Sequence, residues 1–152
     1  MTFHTAIVKT EKEKISLEKA KSFIFSEKNG AESIFIGRVR NINAKKKVTG
    51  VTYDAHEVAV LKSFKSICNE AKNKFDKQVK IFLEHAKGYV PVGGISIIIA
   101  IGSEHRDEAF KICRYILEEV KHQSPIWKKE HYVEGKEEWL PGRSLRSQKE
   151  VK

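Results

Sequence analysis

The segment HQSPIWKKEHY, residues 122–132, sets two lysines, Lys128 and Lys129, close behind Pro125 and the large aromatic Trp127. A lysine pair is ordinarily solvated surface. A lysine held against Trp127 and Pro125 loses hydration, and a neighbouring cation disfavours protonation further, which leaves an amine suited to act as a base or to stabilise charge. Lys121, on the border of an apolar helical stripe, offers a similar choice. Burial would make it a nucleophile or base, whereas exposure would let its ammonium complement the negative end of a helix. At the other end of that stripe Arg106 falls on the apolar side defined by Ala109, Cys113, Ile116, Leu117 and Val120, with His105 on its flank. A guanidinium there needs either an internal carboxylate or an anion; with His105 and the free N–H groups of a helix start it would form a phosphate or carboxylate cradle. In GRVR, Arg38 and Arg40 share one strand face and either present a double positive charge to an anion or mark an exposed strand end. His85, in LEHAKG, reads as a strand-end histidine with a structural hydrogen bond.

Other chemistries lack their residues. No GxxxxGK[ST] or GxGxxG pattern occurs, and no Ser/His/Asp or Cys/His arrangement is readable from spacing. Cys68 and Cys113 lie inside separate helical patterns, outside any CxxC, so they read as buried thiols with no metal site. Lys and Arg number 29 against 20 Asp and Glu; the formal charge of +9 favours anionic partners. Many of the lysines sit in mixed-sign stretches such as KTEKEK, which read as solvated surface. The longest apolar run, in GGISIIIAIG, is too short to span a bilayer, and the first residues lack the order of a secretory signal, so the chain is expected to be cytoplasmic.

These residues need elements to hold them. FHTAIVKT reads as a strand, followed by a helix capped by Ser16. AESIFIGRVR and VTGVTYDA read as strands of a hairpin joined by the basic turn NINAKKKVTG. Val60, Leu61, Phe64, Ile67, Cys68 and Ala71 mark a helix resting on a sheet. QVKIFLEH is a further strand, and GISIIIAI, apolar throughout, suits a central strand covered on both faces. GSEHRDEAFKICRYILEEVKH reads as a helix with Ser103 as N-cap, closed by Pro125. Residues 1–140 therefore form one α+β domain, and the basic stretch 141–152 has the composition of a mobile arm.

In chain order FIGRVRN, VTGVTYDAHE, EHAKGYVPVGGISIIIAIGSEHRDEAF, LEEVKHQSPIWKKE and EGKEEW resemble the catalytic (large) subunits of molybdopterin synthases, over roughly residues 31–140. The specific part is HR-x-x-AF followed by K-x-x-x-P-[IF]-W-K-[KR]-E. The resemblance implies an α/β-hammerhead fold, a mixed or antiparallel sheet with three main helices. It implies an enzyme that installs the dithiolene of molybdopterin on cyclic pyranopterin monophosphate. The sulfur arrives as a thiocarboxylate on the C-terminal Gly-Gly of a small ubiquitin-like subunit, which accounts for the missing cysteine nucleophile. Carried over residue by residue, Lys121 and Lys128 are catalytic; Arg38, Val39, Arg40, His105, Arg106, Lys129, Glu130 and Arg143 line the substrate pocket. No metal or organic cofactor is implied.

Sixteen residues separate His105 from Lys121, about 24 Å along a continuous helix. One small pocket cannot hold both from the same chain. A homodimer with shared sites is expected, in line with the two large and two small subunits the resemblance implies. The competing expectation is a basic RNA- or nucleotide-binding module without catalysis, whose binding would weaken steeply with salt.

Overall fold

The structure, a computed structural model, describes residues 2–140. Arg143 and the 141–152 stretch lie outside the described residues. Eleven elements follow in the order β1 (Phe3–Lys9), α1 (Leu17–Ile24), β2 (Ala31–Arg38), β3 (Ile42–Asn43), β4 (Lys46–Ala55), α2 (Glu57–Lys74), β5 (Lys80–Pro91), β6 (Ile95–Ser103), α3 (Arg106–Gln123), β7 (Ile126–Tyr132) and β8 (Glu137–Trp139). Three helices on a mixed eight-stranded sheet match the α+β, hammerhead-type expectation.

The strand order is β2-β6-β5-β4-β7-β8, with β1 parallel to β5 and β3 beside β4. β6 is buried from Ser96 to Ser103, as its unbroken apolar sequence requires, because α1 and α3 both pack on it. α2 lays Val60, Phe64, Ile67, Cys68 and Ala71 into the core. The cap of α1 is the one its sequence suggests, with Ser16 Oγ accepting from the Lys19 amide at 3.2 Å.

Three local expectations are corrected. Ser103 does not cap α3: it ends β6, buried, and its hydroxyl donates to Asp76 at 2.8 Å, while His105 occupies the cap position without a side-chain cap bond. β2 does not form a hairpin with β4. It pairs antiparallel with β6, and the basic turn closes only a short hairpin in which Ile42 and Asn43 face Lys47 and Lys46. Ala44 and Lys45, at φ 49° and 68°, supply the left-handed turn that such a tight connection demands. Arg106 is exposed: α3 starts at it, and the buried face of the helix begins only at Ala109.

One edge of β5 serves two neighbours. β1 pairs with it as far as Lys87, and β4 takes over from Gly88 to Pro91. The handover occurs at Gly88, whose φ is +116° and where a Cβ would collide with Thr10 Oγ1. This fork lets β4 and β7 splay away from β1 and form the wall that carries Lys128. Gly88→Ala combines a disfavoured backbone conformation with that collision and should cost about 1–3 kcal/mol. A clear drop in the urea midpoint is expected; an unchanged midpoint would contradict this account of the fork.

Candidate active site

A hollow of about 80 Å³ forms where the end of β2 and the following turn meet β3, β4 and β7. Arg38, Val39, Arg40, Lys128 and Glu130, all singled out from sequence, line it together with Asn43, Tyr53 and Leu140. The turn between β5 and β6 fixes Arg38 and Val39. Arg38 Nη1 donates to the Gly93 carbonyl at 2.7 Å, while Val39, itself buried, donates its amide to Gly94 O at 3.1 Å and accepts from Gly93 N at 2.8 Å.

The β4–β7 register builds the opposite wall. Tyr53 pairs with Lys128 and Val51 with Glu130, so these four side chains share a face. Along β7, Ile126, Glu130 and Tyr132 are buried and Lys128 is half-buried, whereas Trp127 is exposed. Strand alternation therefore sends Lys128 and Lys129 to opposite faces. Lys129 binds Glu137 at 3.0 Å and lies 5.1 Å from the centre of the Trp139 ring. Its charge is directed away from the hollow.

Glu130 is the negative centre of the hollow. Its Oε1 accepts from Asn43 Nδ2 and from the Tyr132 hydroxyl, each at 2.9 Å. Hydrogen bonds to a charged acceptor contribute about 1.5–3 kcal/mol each, enough to offset part of the cost of burying a carboxylate. Burial first, then the bond to Glu130, pushes the Tyr132 phenol well above its usual range. Tyr53 is also raised, chiefly by burial, with its bond to Ser96 opposing and the Glu130 charge adding. Ser96 donates to the Gly37 carbonyl at 3.2 Å and so ties β6 to the strand that ends in Arg38. Behind Tyr53, burial lowers His85 to about 4, and Lys128 is among the causes.

The remaining candidates lie elsewhere. The residues Ala31 and Ser103 pair, and Gly30 N donates to Glu104 O at 3.2 Å, so α3 begins beside the start of β2. Arg38, at the other end of β2, is about 23 Å away. His105, exposed and 3.0 Å from Glu104, and Arg106 therefore stand at the far end of the molecule from the hollow. α3 runs back along β6 and β2 and returns Lys121, half-buried, toward the Arg38 end. A single chain brings together the cations of β2 and β7 but not those at the start of α3. A larger groove of about 760 Å³ opens beside Lys87, Thr52 and Trp139, and none of the sequence-selected residues lines it. Among the described residues no three His, Cys, Asp or Glu side chains cluster as metal ligands.

Residues 10–123 match the family model described as MoaE protein. The chain belongs to the MoaE family. The molybdopterin synthase catalytic subunit of Synechococcus elongatus is 40% identical over 131 residues, covering 86% of this chain and 79% of that protein. The crystal structure of molybdopterin synthase from Staphylococcus aureus superposes with a TM-score of 0.82 at 29% identity, over 90% of this chain and 96% of that one. A Helicobacter pylori complex of subunits 1 and 2 of molybdopterin-converting factor shares the fold, with a TM-score of 0.73 at 23% identity over 92% of each chain.

Within this MoaE-family fold, sequence reasoning missed Asn43, Tyr53 and Tyr132. A period of two applied to residues 126–132 carries the signal for Tyr132, since it groups Lys128, Glu130 and Tyr132 and sets Lys129 apart. Asn43 and Tyr53 depend on the pairing of distant strands. The lowered His85 pKa makes stability depend on pH. The native state binds fewer protons than the unfolded state between about pH 6.5 and 4, so stability is present above that window and lost as pH falls through it, by about 3 kcal/mol. His85→Gln should show a smaller drop in urea midpoint from pH 7 to pH 4 than the wild type; equal drops would refute this contribution.

Proposed function

We propose that this chain is the catalytic subunit of a molybdopterin synthase, a sulfurtransferase acting on cyclic pyranopterin monophosphate. The observation that carries the reading is the convergence of Arg38, Arg40 and Lys128 around the buried carboxylate of Glu130. Two guanidiniums and an ammonium suit a phosphate-bearing substrate. Glu130, held by Asn43 and Tyr132, offsets the mutual repulsion of these cations.

The sulfur donor is a thiocarboxylate on the C-terminal Gly-Gly of a small ubiquitin-like partner. Its sulfur attacks an electrophilic carbon of the pterin side chain and displaces the oxygen substituent that this carbon carries, which leaves protonated. Water then cleaves the resulting acyl–sulfur bond, leaving sulfur on the pterin and a carboxylate on the partner, and a second thiocarboxylate repeats the transfer to complete the dithiolene. Lys128 stabilises charge and moves protons during attack, and Lys121 reaches the acyl carbon. A groove of about 320 Å³, walled by Ile15, Val90 and Ile95, shares Arg38 with the hollow and suits the extended tail. Val39 completes the hollow, Lys129 braces β7 from its outer face through Glu137, and Arg143 keeps the substrate-binding role that the resemblance implies. The reaction takes place in the cytoplasm and uses no metal or organic cofactor.

The working unit is a homodimer within a heterotetramer. β2 is the edge of the sheet, and its Ile34, Phe35 and Ile36 are only half-buried; Phe110 on α3 is 65% exposed. Antiparallel pairing of two β2 edges would bring the Arg38 end of one copy to the His105 end of the other. His105 and Arg106 of the partner subunit would then complete the cradle. The basic turn that suggested a nucleic-acid module is partly engaged within the chain, since Lys46 lies 3.5 Å from Glu138 and over the Tyr132 ring.

Lys121→Ala and Arg106→Ala proteins should each fail to form dithiolene product with thiocarboxylated partner and precursor. After subunit exchange, their mixture should recover about a quarter of wild-type sites. No recovery despite demonstrated exchange would refute the shared site, and full activity of either single variant would refute its assigned role.

A further inference from the structure

Packed against Tyr53, His85 is 1% exposed, and its Nδ1 lies 2.7 Å from the Ala86 carbonyl oxygen. A carbonyl can only accept, so Nδ1 carries the proton and the neutral ring presents a bare lone pair at Nε2. Among the described residues Nε2 meets no hydrogen-bond donor, although buried polar atoms are nearly always satisfied. The ring stands edge-on to Tyr53, with centroids 5.0 Å apart at 77°. Tyr53 lies directly opposite Lys128 across the β4–β7 pair. Lys128 is also the cation whose charge acts on the imidazole. The sulfur-transfer chemistry described above makes no use of this histidine.

We propose that His85 is a positioning residue for the reaction: its Nε2 accepts a hydrogen bond from Lys128 Nζ when the site is filled, and so aims the amine at the reacting centre. This rests on the sulfur-transfer reading of the hollow. The carboxylate of Glu130 is already engaged by Asn43 and Tyr132, and a carboxylate would hold the lysine as a fixed cation. A neutral imidazole orients the amine without fixing its charge, and burial keeps the ring neutral through the working pH range, with a pKa of about 4. Among the described residues, the charged and titratable groups facing Lys128 are Arg38 and Arg40 from the end of β2 and its turn, Tyr53 from β4, His85 from β5 and Glu130 from β7. Among these groups His85 offers a buried, neutral acceptor at Nε2.

The test compares wild type, His85→Phe and His85→Gln in the complex with thiocarboxylated partner and pyranopterin precursor. His85→Phe keeps an aromatic edge for Tyr53 and removes the acceptor; kcat should fall about tenfold or more with KM within about twofold. The lysine-dependent limb of its kcat–pH profile should move to lower pH, because the ammonium loses an acceptor. His85→Gln, which restores an acceptor, should recover most of the rate and the limb. Unchanged kcat and pH limb in His85→Phe would overturn the proposal, as would equal losses in both variants with an unmoved limb, the result expected of packing alone. A second readout needs no turnover and no variant at position 85: in the chain saturated with the pyranopterin precursor, the Nε2 nitrogen resonance of His85 should shift on Lys128→Ala. An unmoved resonance would overturn the contact. Absence of product from the wild type would instead remove the sulfur-transfer reading, leaving the resonance to decide the contact.

Discussion

The antiparallel pairing of β4 with β7 is the constraint on which the site depends. Because side chains alternate along a strand, the register that sets Tyr53 opposite Lys128 and Val51 opposite Glu130 decides which charges enter the hollow. A slip of one residue would turn Lys129 and His131 inward and expose Glu130. Burial of Ile126 and Tyr132 at the two ends of β7 holds that register by the same face-by-face hydrophobic preference that shaped the core. Glu130 then ties the strand to β3 through Asn43, so a charged group that is costly to bury becomes the tether between two short elements.

The hollow also depends on two glycine-bearing features of β5. At Gly88 the strand changes neighbour, which allows the β4–β7 wall to diverge from the core sheet. Beyond Pro91, the turn through Gly93 and Gly94 grips Arg38 and Val39 by backbone hydrogen bonds. Arg38 is thus placed by main chain and Lys128 by strand register, while the Ser96–Gly37 hydrogen bond ties β6 to β2. Positive charge is concentrated by geometry from two separate regions of sequence, the end of β2 with its turn and β7.

Much of this was legible in the sequence and some was not. The apolar run of β6, the stripe of α2 and the Ser16 cap follow from local periodicity and hydrogen-bond chemistry, and the structure has them. Ser103 failed as a cap because a distant carboxylate, Asp76, competes for its hydroxyl. The β2–β4 hairpin failed because adjacency in sequence is a weaker determinant than the large apolar face that β2 buries against β6. For the site, GRVR and the Lys128–Glu130 pair could be read from residue types, whereas Tyr53 and the relation of His85 to Lys128 required pairing across distant strands. The expectation that His105 and Lys121 cannot share one pocket within a chain agrees with the placement of Arg38 and His105 at opposite ends of β2.

The central claim is that sulfur carried by a protein tail passes to a pterin held against Lys128. A single-turnover reaction with sulfur-labelled thiocarboxylate partner, cyclic pyranopterin monophosphate and this chain tests it most directly. The label should appear in the pterin with the wild type and remain on the partner with Lys128→Gln. Label retained by the partner in both reactions, or transferred equally in both, would contradict the account.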